Sequence, residues 1–119
     1  PSTTYGSAPV GIIAYQYDGY MSAAITSTDT ADRPTNPQTD AEWAVIPKHI
    51  VMYSGTYTLS VETATTGHLV HGPIEVSAIP SMVGISLPKN YTLFDNGKVL
   101  RLWFYKGNDT VDVWLKKVG

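Results

Sequence analysis

Along residues 53–62 apolar and polar side chains alternate without a break. Tyr53, Gly55, Tyr57, Leu59 and Val61 fall on one side, and Ser54, Thr56, Thr58, Ser60 and Glu62 on the other. A period of two marks a strand with one buried face. Thr63-Ala-Thr-Thr-Gly67 then reads as a turn and 68–78 as the returning strand. Setting Glu62 opposite His68 places Val61 opposite Leu69, Leu59 opposite His71 and Tyr57 opposite Pro73, with Glu75 on the same face. A slip of one residue would turn His71 and Glu75 outward.

Upstream, Ile- and Tyr-rich runs at 10–17 and 20–26 flank Asp18-Gly19. Asp-Gly suits a two-residue turn because Gly accepts positive φ without steric cost. That turn sets Tyr17 opposite Tyr20, Tyr15 opposite Ser22 and Ile13 opposite Ala24. Both faces of this hairpin are apolar, so alternation does not choose the inward one. Downstream, 85–95 and 98–105 flank Asn96-Gly97, in a register that pairs Leu93 with Leu100 and Tyr91 with Leu102. Phe104 joins that inward face, while Asn90, Thr92, Arg101 and Trp103 take the other. A last strand at 111–118 follows the turn Lys106-Gly-Asn-Asp109. Seven strands separated by turn signals predict an all-β chain, either an antiparallel up-and-down barrel or a sandwich.

The remaining stretches connect these strands. Residues 1–9 form a lead-in loop, and 27–38 a polar loop with Pro34 and Pro37. Asp40 caps a short helix over 41–46 that Pro47 interrupts, giving a helical or irregular segment around 40–52. Trp43 and His49 in that segment are placed to close the mouth of a barrel. No linker or internal repeat divides the chain, so 1–119 reads as one domain.

Composition narrows the function. With 43% hydrophobic and 15% charged residues the chain is a folded one, and a net charge of −2 without a Lys/Arg run argues against nucleic acid. The absence of cysteine removes thiolate chemistry and Cys-ligated metals, and fits a cytoplasmic protein. No apolar run is long enough to span a bilayer. His68 and His71 lie three apart on a strand and face opposite sides, so no metal site is expected; nor does any motif call for a cofactor. Eight tyrosines against two phenylalanines suit a cavity that needs both apolar bulk and hydroxyl groups, although strand propensity accounts for tyrosine equally well.

The sharpest constellation is His71 with Tyr57, Tyr53 and Glu75. An imidazole near a carboxylate and phenols inside an apolar barrel can shuttle a proton, with His71, Tyr57 and Glu75 as the catalytic set. His71 and Glu75 would flank a ligand, four residues of strand apart at about 3.3 Å each. Tyr15, Tyr17, Tyr20, Tyr53, Leu59, Met82, Tyr91, Leu102 and Phe104 are the expected ligand-lining residues, the tyrosines donating to a carbonyl or phenolate. Each has a plain packing alternative. Trp103 and Trp114, if outward, point to a contact in a homodimer.

Several segments resemble the lipocalin-like domain family, small calycin-type barrels of bacteria and fungi. They are Tyr5-Gly6 with Ala8-Pro-Val-Gly11, Asp18-Gly-Tyr-Met-Ser-Ala23, Tyr53-Ser-Gly-Thr-Tyr57, Ile79-Pro-Ser-Met-Val-Gly84, Tyr91-Thr-Leu-Phe-Asp-Asn-Gly-Lys-Val-Leu100 and Val113-Trp114. The resemblance implies a lipocalin-like up-and-down barrel of about eight strands. The family's usual Gly-x-Trp strand before the lead-in loop is missing here, which leaves a gap or a strand borrowed from a partner. Its basic residue before the tyrosine matching Tyr91 is replaced by Asn90. Relatives in natural-product pathways imply a cofactor-free isomerase, cyclase or dehydratase acting on a small hydrophobic metabolite. The alternatives are a non-catalytic carrier with the same cavity, or a barrel filled by its own side chains.

Overall fold

The computed structural model describes residues 5–118. Seven strands follow one another in a single antiparallel meander: β1 (Val10–Tyr15), β2 (Tyr20–Thr26), β3 (Ile50–Val61), β4 (Thr66–Ser77), β5 (Leu87–Phe94), β6 (Val99–Lys106) and β7 (Asp109–Lys116). The expected all-β, up-and-down architecture is present. Among the described residues the sheet curls without closing, because β1 pairs with β2 alone and β7 with β6 alone. The result is a half-barrel.

Two apolar clusters line its inner face. Met21, Ala23, Tyr53 and Ile74 form one, and Leu69, Tyr91 and Leu102 the other. Ile13, Tyr15 and Tyr57 pack against both, so the curl brings β1 over the far strands and fuses the clusters into one core.

The hairpin at Asn96-Gly97 has the expected register, Leu93 opposite Leu100 and Tyr91 opposite Leu102. Asp95, Asn96 and Gly97 all adopt positive φ in that turn, which these residue types tolerate. The first hairpin differs from expectation. Tyr15 lies opposite Met21 and Ile13 opposite Ala23, one residue away from the register of a two-residue turn. The loop holds three residues, 17–19, closed by a Gln16 N–H bond to the Tyr20 carbonyl at 2.8 Å, with Gly19 at φ 90°. This shift puts Ile13, Tyr15, Met21 and Ala23 inward and leaves Ile12, Tyr17 and Tyr20 exposed.

Between β3 and β4 the pairing is Tyr57 to His71 and Leu59 to Leu69, two residues from the expected register but with the same faces. Two irregularities then interrupt the ladder, at Ser54/Gly55 and Gly55/Tyr57. A β-bulge inserts an unpaired residue and breaks the alternation. Ile74 therefore faces inward, opposite Gly55, and is 1% exposed, while Glu75 turns to solvent.

A short helix, α1 (Asp40–Val45), and a 3-10 turn (Ile46–His49) precede β3, which begins at Ile50. The cap is Thr39 rather than Asp40. Its hydroxyl accepts from Glu42 N–H and donates to the Glu42 carboxylate, both at 3.2 Å, which satisfies one free N–H of the first turn. No residue of α1 is buried and Trp43 is largely exposed, so this segment does not seal an interior. The loop before it is held at Ser27, which is buried and donates to Asp32 at 2.6 Å.

Candidate functional site

His71 is the one fully buried histidine. Strand alternation on β4 turns it inward, and two phenols meet its ring. The Tyr15 hydroxyl lies 2.6 Å from Nε2 and the Tyr53 hydroxyl 2.7 Å from Nδ1. A neutral imidazole has one donor and one acceptor nitrogen, so one phenol donates and the other accepts. Burial, reinforced by the charge of Lys89, pushes the His71 pKa down to about 4. Burial likewise raises both phenols, Tyr53 to about 12 and Tyr15 further, with the neighbouring tyrosines Tyr53 and Tyr57 adding to the rise at Tyr15. All three groups are thus uncharged near neutrality. They form a hydrogen-bonded chain across β1, β4 and β3 within an apolar interior.

Tyr57 stands beside this chain. Its ring packs edge-on against Tyr15, with centroids 5.0 Å apart, and its hydroxyl donates to the Gln16 carbonyl at 2.8 Å. That bond ties the first hairpin loop to β3. Glu75 is not part of the group, since the bulge has turned it away. Tyr17 sits fully exposed at the hairpin tip, and Tyr20 lies on the outer face opposite Thr56. The shift to a three-residue loop is the physical reason that neither lines the interior. Leu59 follows Tyr57 on the inner face but is 55% exposed, because β2 ends opposite Thr56 and covers nothing beyond it. Met82, in a 3-10 turn (Pro80–Met82), packs against the cluster of Met21 and Ile74. Tyr91 and Leu102 are buried together with Leu69.

Lys89 escaped the sequence reading. It lies between Leu87 and Tyr91 on β5, opposite Leu69 and two residues from His71 along the β4 ladder. Its ammonium rests 4.7 Å from the centroid of the Phe104 ring, and burial lowers its pKa. The sequence does carry the signal: period-two parity sets Lys89 on the same face as Tyr91 and Leu93.

The expectation is a hollow that His71 faces; in the structure the ring itself is fully buried. The imidazole is sealed between Tyr15 and Tyr53. Two shallow surface hollows, of about 330 and 340 Å3, lie elsewhere. One is at the turns around Thr65 and Asn96, and the other over Val10, Ile12 and Ile25. Trp103 and Trp114 do face outward. Between them lies the Arg101 guanidinium, 4.8 and 5.9 Å from their rings, ion-paired with Asp112. Among the described residues no group of three His, Asp or Glu side chains is disposed to hold a metal, and no helix is long and apolar enough to cross a membrane.

A sequence model described as a lipocalin-like domain matches residues 1–114. No curated protein and no solved structure matches the chain.

Proposed function

The chain belongs to the lipocalin-like domain family, and from that premise we propose that it binds a small apolar molecule on the inner face of its half-barrel and moves a proton on it through Tyr15, His71 and Tyr53. The family and the fold fit small-molecule binding. The observation that carries the finer reading is the neutral imidazole held between two phenols at 2.6 and 2.7 Å.

Such a chain can act without acquiring charge. A substrate C–H or O–H proton passes to the Tyr15 oxygen as the Tyr15 proton passes to Nε2. The Nδ1 proton then passes to the Tyr53 oxygen, and the Tyr53 proton to a second substrate atom. Every protein atom keeps its formal charge, and the ring has exchanged one tautomer for the other. Because burial keeps the imidazolium out of reach near neutrality, this tautomeric route suits the chain better than charged general acid–base steps. Isomerisation, cyclisation and dehydration all include such a transfer. Tyr57, stacked edge-on to Tyr15, provides a wall for the ligand.

One observation favours simple carriage instead: both ring nitrogens are already satisfied within the chain. Solvent-deuterium exchange separates the two readings. An enolisable apolar ketone such as β-tetralone is incubated with the protein in deuterium oxide. Binding is followed by tryptophan fluorescence and label uptake by mass spectrometry. The relay predicts uptake at least tenfold above background, lost in His71→Gln and Tyr53→Phe while the ketone still binds. Binding without added uptake in the wild type would leave the carrier reading alone standing.

A further inference from the structure

Lys89 presents a cation to the inner face with nothing there to neutralise it. Among the described residues no carboxylate lies within salt-bridge distance of its ammonium. The acidic side chains of the strands lie elsewhere: Glu75 is turned outward, Asp112 is taken by Arg101 and Asp109 is exposed at the start of β7. What meets the ammonium is the Phe104 face at 4.7 Å. A ring quadrupole compensates a cation only in part, and less fully than a carboxylate with ideal geometry. Along the ladder Leu69 lies opposite Lys89, and Leu87 and His71 lie two residues on, His71 being a neutral hydrogen-bonding group.

We propose that Lys89, poised on Phe104, is the specificity-determining residue of the site and selects apolar ligands that carry a single negative charge on oxygen, such as a carboxylate. The inference rests on the small-molecule reading above and names its ligand class. One cation with neutral donors beside it matches one negative charge. A phosphate or nucleotide, bearing two or more, would call for several cations and a fork of arginines. The burial that lowers the Lys89 pKa works in the same direction, since an arriving anion restores what desolvation took away.

The test uses a matched pair of probes, decanoate and decanol, displacing the uncharged fluorophore N-phenyl-1-naphthylamine from the protein at pH 7. Wild type is expected to bind decanoate at least tenfold more tightly than decanol. Lys89→Gln removes that preference and leaves decanol affinity within threefold, which also reports that the variant is folded. Lys89→Arg retains most of the preference. Equal affinity for both probes in the wild type, or a preference that survives in Lys89→Gln, would overturn the role of Lys89 and spare the small-molecule reading. If neither probe nor the fluorophore binds wild type, the small-molecule reading itself falls, and this inference with it.

Discussion

Burial holds the His71 imidazole neutral down to about pH 4, against an ordinary value of 6.5. Between those values the unfolded chain binds a proton that the folded chain refuses, so acid favours unfolding. The stabilisation is complete above pH 6.5 and drains away as pH falls to about 4. At 1.36 kcal/mol per unit it amounts to roughly 3 kcal/mol. Urea unfolding of wild type and His71→Gln between pH 7 and pH 4 should show a loss steeper in the wild type by about that amount; parallel profiles would place the imidazole in water. The inward aim of His71 was legible, because period-two alternation survives a register error of two. The loss of Glu75 was not, since alternation across 71–75 assumes an unbroken ladder. Lys89 shows the opposite failing: parity already placed it inward, but a lysine between apolar neighbours reads as a surface residue.

The strands and their hairpins were legible to the degree that their turns were chemically decided. Asn96-Gly97 fixed its register because successive positive-φ residues leave little choice. Asp18-Gly19 serves a two-residue turn and a three-residue loop equally well, and the chain uses the latter. The bulge in β4 left a weaker trace, a Gly-Pro pair inside one strand and Gly55 inside its neighbour, both of which mark places where a regular ladder fails. At Gly55 the close approach is measurable. A Cβ there would lie 2.5 Å from the Pro73 carbonyl oxygen and 3.0 Å from Ile74 Cα, both backbone atoms that cannot swing aside. Gly55→Ala should therefore destabilise by about 1–3 kcal/mol, seen as a lower urea midpoint with an unchanged slope. Val61, exposed on the same strand, serves as the control: Val61→Ala should cost under about 0.5 kcal/mol.

The open sheet sets the properties of the whole molecule. Its radius of gyration is 15.6 Å, against about 13.5 Å for a compact chain of this length. That fits a half-barrel better than a closed one. Stability is then graded from the middle to the margins. β3 and β4 are each paired on both sides, whereas β1 is held on one side only. Amide hydrogen exchange under native conditions should find β1 opening at a free energy below that of β3 and β4; equal protection would mean that a further strand covers the β1 margin.

That margin strand also carries Tyr15, the phenol on Nε2 of His71. A fully buried polar group is thus latched by a residue on a strand paired along one side only. Each time β1 peels away, the imidazole loses a partner and meets water, and only then does it accept a proton at ordinary acidity. Mild acid should accordingly undo the molecule from its seam inward, with the central strands the last to yield.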